Sequence, residues 1–251
     1  MGPFSYLVAA SDLKTTSEDF RIFKYADDTY LVTAGKNHSR ISYEIDHVSQ
    51  WAQRNNLKLN NDKTKEIVIY KKGKKKENLS PQTSGINRVM SINVLGVTIQ
   101  NNLSMEEHVN EILGTCSNSL YALSVLKAHG LSAEALQEVF RSKILNRLLY
   151  ASQAWWGFAS ASTVNRIDAY LKKCKKYGYC PASLHPFVNQ CAHLDAKLFA
   201  QVQQNSEHVL YPLLPATKDH KHNLRNRKHK FVLPPKDDKN FICRVLYTTI
   251  Y

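Results

Sequence analysis

The pattern of apolar and polar positions predicts mixed strands and helices in the first part of the chain. In residues 23–31, β-branched and aromatic residues flank two adjacent acids, which predicts two strands joined by a tight turn. Apolar residues recur at helical spacing in 39–54, and 66–70 predicts a further strand. The segment 88–99 predicts another strand or hairpin, in which Gly96 indicates a bulge or a close approach of the backbone.

A helical period begins at Ser104 and predicts three amphipathic helices. The first ends at His129-Gly130, Ser132 begins the second, and the third covers residues 162–176 and ends in lysines. The apolar stripe of the first helix consists of Val109, Ile112, Leu113, Cys116, Leu120, Leu123 and Leu126. The pattern alone is typical of a small helical bundle.

The final part of the chain is less regular. The stretch 220–230 is basic with almost no apolar content, which predicts a mobile tail, whereas 231–243 predicts a short terminal strand that docks back. Residues of the types that bind zinc are Cys174, Cys180, His185, Cys191 and His193. Because their spacing is not the paired pattern of structural zinc sites, we expect scattered thiols and imidazoles there.

Composition and charge limit the class of protein. The chain has 251 residues, 43% of them hydrophobic, and no apolar run approaches the ~20 residues that span a membrane. The formal net charge of +13 favours a polyanionic partner, most simply nucleic acid, with a merely basic soluble protein as the alternative. An odd count of five cysteines argues against a secreted disulfide scaffold, and the amino terminus lacks the basic leader of a signal peptide. We expect an intracellular protein without membrane association, and its charge is compatible with the nucleus.

Asp27 and Asp28 form the first candidate site, because a tight turn would present both carboxylates at one edge of a sheet. Carboxylate oxygens suit a hard cation such as Mg²⁺, and they suit the two-metal arrangement that clamps both oxygens of an in-line phosphoryl displacement. Asp is also a common turn residue, so the alternative is a turn that binds nothing.

The residues around this pair resemble a known family. Tyr25-Ala26-Asp27-Asp28 resembles the Y/F-x-D-D signature of reverse transcriptases, and the run 24–31 resembles the version found in non-LTR (LINE-type) retrotransposons. Further segments that match in the family's order are Gly2-Pro3-Phe4, the stretch from Trp51 through Leu57, Leu59, Asn60, Lys63 and Thr64, and Leu95-Gly96-Val97. Val94 and Met105 stand where the family usually has aromatic residues.

The resemblance implies an α+β fold in three parts. Residues 1–102 would form part of a polymerase palm, an antiparallel sheet with the Asp-Asp hairpin and packing helices. Residues 103–178 would form a helical thumb, which the three predicted helices match in position and length. Residues 179–251 would form an irregular basic extension.

The reaction implied by the resemblance is RNA-directed DNA synthesis, in which a primer 3′-hydroxyl attacks the α-phosphate of a deoxynucleotide. Asp27 and Asp28 would hold Mg²⁺, with Mn²⁺ as a substitute. Lys63 would place a cation near the triphosphate or leaving group, and the alternative is a solvated turn lysine. Tyr25 and Leu95-Gly96 would contact the primer.

A basic loop follows the predicted strand 66–70, and its lysines are Lys71, Lys72, Lys74, Lys75 and Lys76. They would contact a phosphate backbone, and the alternatives are a solvated tip or a localisation signal. The expected partners are an RNA template, a DNA primer or an RNA–DNA hybrid, and deoxynucleotides. Two other classes stay open: a non-catalytic nucleic-acid-binding remnant, and a structural module in which the Asp-Asp turn is only a turn.

One expectation concerns the activity of this chain by itself. The family uses a third metal-binding Asp and nucleotide-holding fingers upstream of the Gly-Pro segment, and we expect this chain to lack both. We therefore expect little or no primer extension on an RNA template with Mg²⁺. Robust synthesis that is abolished by Asp28→Asn would contradict this expectation.

Overall fold

The computed structural model describes residues 8–70, 80–217 and 229–248, and within them it combines helices with small two-stranded sheets. The chain divides into two compact units. The first comprises the described residues up to Ile92 together with Gln100–Asn102, and the second comprises Asn93–Ile99 and the described residues from Leu103 onward. The predicted parts 103–178 and 179–251 therefore fall in the same unit.

The first unit contains a β-hairpin that carries the Asp pair. Strand β1 (Phe20–Tyr25) pairs antiparallel with strand β2 (Asp28–Thr33). The register sets Phe20 opposite Thr33 and Tyr25 opposite Asp28. The prediction of strand, turn and strand in 23–31 is confirmed.

One face of this hairpin is covered by a small hydrophobic cluster. Phe20 is buried, and Ile22 packs against the cluster. Lys24, the next residue on that face, donates from Nζ to the backbone carbonyls of Ala10 and Leu13, the second at 3.0 Å. The buried residues of the cluster are Ala10, Leu13, Trp51 and Ala52.

Helix α1 (Ile41–Arg54) follows a 3₁₀ turn at Gly35–Arg40, in agreement with the helix predicted for 39–54. Its buried Glu44 accepts hydrogen bonds from the hydroxyl and from the backbone N–H of Thr16, the latter at 3.2 Å. Trp51 Nε1 donates to Asp12 Oδ1 at 3.0 Å. These hydrogen bonds tie α1 to the segment before β1. A polar side chain of α1 that was left buried and unpaired would cost about 1–3 kcal/mol.

The strand predicted for 66–70 is wrong beyond Glu66. Strand β3 (Lys65–Glu66) pairs parallel with strand β4 (Asn87–Arg88), and the Glu66 carboxylate forms an ion pair with Arg88. Further along the predicted strand, the backbone hydrogen bond of Tyr70 goes to a different segment of the chain. The N–H of Tyr70 donates to the carbonyl of Asn101 at 3.0 Å. The ladder with β4 is therefore not continued.

Strands β5 (Ser91–Val94) and β6 (Val97–Gln100) form a second hairpin, which confirms the strand or hairpin predicted within 88–99. Gly96 lies in the turn of this hairpin, so the interpretation of Gly96 as a bulge is wrong. Leu95 and Gly96 both have left-handed backbone angles, with φ of 49° and 86°. This conformation favours glycine and is typical of tight hairpin turns.

The second unit begins its helical part with helix α2 (Glu106–Ala128), which ends where it was predicted to end. His129 is the C-cap, and Gly130 has a φ of 84°, the left-handed conformation in which helices commonly stop. Leu126 departs from the predicted stripe and is exposed. The reason is that the core cluster reaches along α2 only as far as Leu123.

The second predicted helix is a series of short pieces. Ser132 caps it as predicted, since its Oγ accepts the backbone N–H of Ala135 at 3.3 Å. A break at Tyr150 and Ala151, where Ala151 has a φ of 47°, interrupts the helical backbone. The pieces are α3 (Ala133–Val139), a π-helical turn (Phe140–Leu145), α4 (Asn146–Leu149) and α5 (Ser152–Trp155).

The third predicted helix is confirmed as helix α6 (Ala161–Lys176), whose first turn is capped by Ser160. Helix α6 packs against α2. Arg166 Nη2 donates to Asn110 Oδ1 at 2.6 Å, and Tyr170 Oη donates to the carbonyl of Cys116 at 2.6 Å.

The helices were also compared with the length and hydropathy that a lipid bilayer requires. Among the described residues, every helix is too short or too polar to span a membrane.

The expectation of an irregular final part is wrong for much of it. Helix α7 (Phe187–Gln204) was not predicted, and helix α8 (Phe241–Thr248) stands where a strand was expected. Phe231 forms only an isolated bridge with Thr217. His229 belongs to the stretch predicted as a mobile tail, yet it is buried and hydrogen-bonds through Nε2 to the carbonyl of Leu246 at 2.9 Å. Most of that tail, 218–228, lies outside the described residues.

A buried ion pair docks α8 against α7. Arg244 Nε lies 2.8 Å from Asp195 Oδ2, and the guanidinium stacks over the ring of Trp156 with 4.5 Å to its centroid. A Cβ atom on the neighbouring Gly157 would lie 2.7 and 2.8 Å from two backbone carbonyls that surround the guanidinium. Glycine at this position therefore leaves room for the arginine.

We expect Arg244→Leu to lower the free energy of unfolding by about 3–5 kcal/mol, because it leaves the Asp195 carboxylate buried without its partner. Urea denaturation followed by circular dichroism measures this. Arg141→Leu is the matched control, since it breaks an exposed pair with Glu138 and should cost at most about 1 kcal/mol. Equal costs for the two variants would contradict a stabilising role for the buried pair.

Candidate functional site

The two acids do not occupy equivalent backbone positions. Asp27 lies in the turn that joins β1 to β2, whereas Asp28 is the first residue of β2. Ala26, the other turn residue, has a left-handed φ of 47°, which reverses the chain within two residues. Both carboxylates are exposed, and within the described residues neither forms an ion pair.

The register of the hairpin places Asp28 at the end of an aromatic face. Residues opposite each other in an antiparallel pair share a face, so Asp28 lies with Tyr25, and Phe23 lies with Tyr30. Tyr25 is 64% and Phe23 54% exposed. Tyr30 Oη is 3.4 Å from Asp28 Oδ2. The signature around the Asp pair includes Tyr25 but not Phe23 or Tyr30, which the alternation of side chains along the two strands could have identified.

The Asp pair supplies two carboxylates to any cation it binds. Across residues 8–70, 80–217 and 229–248, no group of three or more His, Cys, Asp or Glu side chains is arranged to hold a metal ion. Mg²⁺ usually keeps several waters and takes one or two protein carboxylates together with substrate phosphates. The donor set of Asp27 and Asp28 fits that mode of binding and does not fit an all-protein cage.

Lys63 lies in the first unit, in the turn that precedes β3. Its backbone N–H donates to the carbonyl and to the side-chain Oδ1 of Asn60, both at 3.1 Å, and its side chain is exposed. No hydrogen bond or ion pair among the described residues joins Lys63 to the Asp pair. Its role at the triphosphate stays a prediction.

The Leu95-Gly96 turn belongs to the second unit, where two groups hold it. Asn93 Oδ1 accepts the N–H of Gly96 at 2.9 Å, and Tyr150 Oη donates to the carbonyl of Leu95 at 3.0 Å. A Cβ at Gly96 would lie 3.2 Å from Tyr150 Cε1, so the close approach predicted for Gly96 is confirmed. Leu95 is partly exposed at the tip of the turn.

The predicted basic loop cannot be placed in this arrangement. Its residues Lys71, Lys72, Lys74, Lys75 and Lys76 lie outside the described residues. Exposed lysines do occur at the end of α6, where Lys172, Lys173 and Lys176 have their side chains in solvent.

Comparison with known proteins indicates the class to which the chain is similar. It resembles an RNA-directed DNA polymerase, which supports a reverse-transcriptase-like relationship. The relative is the RNA-directed DNA polymerase from mobile element jockey of Drosophila melanogaster, with 27% identity over 180 residues. The match covers 66% of this chain and 20% of the relative, so the chain spans about a fifth of the relative's length. No family model and no solved structure matches.

The thiols considered as zinc ligands are buried in the second unit. Burial raises the pKa of Cys174 and of Cys191 to about 12 and that of Cys116 to about 11, and it also raises the pKa of Cys180. His185 and His193, in contrast, are exposed. Thiolates are the metal ligands and nucleophiles, so these sites disfavour both metal binding and alkylation at neutral pH.

We expect iodoacetamide at pH 7.5 to modify Cys243, which is half-buried, well before the four buried cysteines. The buried thiols should react only after unfolding in urea, since their raised pKa values keep them protonated and the core excludes the reagent. Mass spectrometry of native and unfolded samples measures the order of reaction. Rapid native modification of Cys174 or Cys191 would contradict the packing of this core.

Proposed function

We propose that this chain is a portion of an RNA-directed DNA polymerase, with an α+β palm segment that carries the Asp pair and a helical thumb after it. The observation that carries the proposal is the pair Asp27-Asp28, exposed at the end of an antiparallel hairpin and without a cationic partner among the described residues. The similarity to the jockey polymerase supports this choice of reaction.

In the proposed reaction, the 3′-hydroxyl oxygen of a primer forms a bond with the α-phosphorus of a deoxynucleotide, and the hydroxyl proton is released. The bond from that phosphorus to the bridging oxygen breaks, and pyrophosphate leaves. Mg²⁺, when bound, neutralises the charge that develops on the attacking and leaving oxygens. Asp27 and Asp28 would hold the ion, and Mn²⁺ would substitute for it.

Positioning of the substrates would come from several of the candidate residues. Tyr25 would contact the primer from the aromatic face of the first hairpin, and Leu95-Gly96 would contact it from the turn of the second. Lys63 would act on the triphosphate or leaving group as a cation. These contacts would supply orientation, which provides much of the catalysis in phosphoryl transfer.

Affinity for the template and primer would come mainly from charge. The formal net charge of +13 and the exposed lysines at the end of α6 favour contact with phosphates, so binding should weaken as salt is raised. The second candidate function is non-catalytic nucleic-acid binding. It is favoured by the formal net charge of +13, which would attract phosphates whether or not the Asp pair binds a metal ion.

We expect Mn²⁺ to bind this chain in a way that depends on the Asp pair. Asp28→Asn should weaken binding at least about tenfold, because even partners of metal ligands cost 10–100-fold when they are changed. Enhancement of water proton relaxation by Mn²⁺ measures the affinity without any need for turnover. Asp46→Asn, at an exposed acid of α1, is the matched control and should bind as the unmodified chain does.

Equal Mn²⁺ affinity in the unmodified chain and in an Asp27→Asn/Asp28→Asn double variant would overturn the metal site. If salt-sensitive binding of an RNA–DNA hybrid persisted in that case, the non-catalytic alternative would be supported. Absence of binding both to Mn²⁺ and to the hybrid would instead indicate a structural module.

A further inference from the structure

We propose that Tyr150 is a positioning residue that fixes the Leu95-Gly96 turn for contact with the 3′-terminal nucleotide of a primer strand. This inference rests on the proposed function, and it assigns a role to a residue that no sequence motif singled out. The position of its phenol against the turn carries the proposal.

Tyr150 contacts the turn in two ways. Its hydroxyl donates to the carbonyl of Leu95 at 3.0 Å, and its ring edge lies 3.2 Å from the place a Cβ would occupy on Gly96. Leu95 and Gly96 both have left-handed φ values, so this peptide segment is one that few sequences adopt unaided. The phenol therefore selects one conformation of a strained turn.

The backbone of Tyr150 is itself held in place. Tyr150 lies at the break between α4 and α5, and the following residue, Ala151, has a left-handed φ of 47°. Trp155 is buried, and its Nε1 donates to the carbonyl of Tyr150 at 3.0 Å. The Trp155 ring also stacks on Phe187, with 5.7 Å between ring centroids. The tyrosine thus projects from a backbone segment that is hydrogen-bonded to the core.

The base of the same hairpin is held by hydrogen bonds to side chains of α2. Thr98 Oγ1 donates to Glu111 Oε2 at 2.6 Å, and the Thr98 N–H donates to Nδ1 of the buried His108 at 3.2 Å. Burial lowers the pKa of His108, which keeps the ring neutral and Nδ1 able to accept. Because Val97 is also buried, loss of the Tyr150 hydroxyl should affect the tip of the hairpin and leave its base in place.

The chemistry of the tip suits a sugar or a base better than a phosphate. Leu95 and Gly96 offer no charge, and Tyr150 is 54% exposed, so part of its ring faces solvent beside the turn. Aromatic rings stack on nucleobases without regard to sequence. A strand end is the part of a hybrid that exposes an unstacked base face, which fits the primer contact proposed above for Leu95-Gly96.

The test compares two RNA–DNA hybrids of equal length, one with a recessed DNA 3′ end and one whose DNA 3′ end is closed into a hairpin loop. Affinity for each is measured by fluorescence anisotropy, and 2-aminopurine at the DNA terminus reports stacking there. We expect Tyr150→Phe to lower affinity for the recessed end by about 3- to 10-fold, the loss of one hydrogen bond, with little effect on the closed hybrid.

Two further variants make this result specific. Tyr121→Phe changes a tyrosine of α2 that is 73% exposed, and it should leave both affinities unchanged. Gly96→Ala strains the turn and meets the Tyr150 ring, so it should reproduce the selective loss with the hydroxyl intact. The thermal unfolding midpoint of each variant shows whether the fold is kept.

An equal preference for the recessed end in the unmodified chain, Tyr150→Phe and Gly96→Ala would overturn the role of Tyr150. Equal binding of both hybrids by the unmodified chain would overturn the assignment of the tip to the primer terminus. If the unmodified chain bound neither hybrid, the proposed function itself would fail, and the inference with it.

Discussion

Burial of one face of β1 is the constraint on which the Asp-Asp hairpin depends. Phe20 and Ile22 lie on that face, and Lys24 continues it by bonding to backbone carbonyls of the preceding segment. Because side chains alternate along a strand, a slip of one residue would turn Tyr25 and Asp28 toward the cluster. A carboxylate buried there without a partner would be costly. The apolar residues at 20 and 22 therefore keep the acid in solvent.

The second unit depends on buried polar contacts as well as on its apolar core. The Arg244–Asp195 pair, the cation–π contact with Trp156 and the bond from His229 to the Leu246 carbonyl join the final helix to the rest of the unit. Such groups cost free energy unless they are paired, so a docking of α8 that broke these contacts would be disfavoured. Helix α8 thus packs with α7 in one hydrophobic cluster, whose buried residues are Phe199, Val245 and Leu246.

The two hairpin turns that carry candidate residues share a physical feature, because each contains left-handed backbone angles. Ala26 takes a left-handed φ in the first hairpin, and Leu95 and Gly96 do so in the second. Strained turns of this kind persist only where surrounding contacts determine them, and they are common at functional sites. In the second hairpin, Asn93 and Tyr150 supply such contacts to Gly96 and Leu95, and a turn that is already formed reduces the ordering cost of binding.

Local sequence determined the elements whose signals are local. The strands around Asp27-Asp28, the helix at 41–54, the stop at Gly130 and the cap at Ser132 all follow from neighbouring residues. Motifs were equally readable, since Tyr25 to Asp28 pointed to polymerases and one curated relative agrees. Contacts between residues far apart in the chain were not readable from the sequence. The early end of β3, the burial of His229 and the contact of Tyr150 with Leu95 each depend on a partner distant in sequence. Helix α7 differs, because its buried residues Phe187, Cys191, Phe199 and Val202 recur at helical spacing and could have been read locally. Periodicity records which side of an element is apolar, but only the folded chain decides what that side meets.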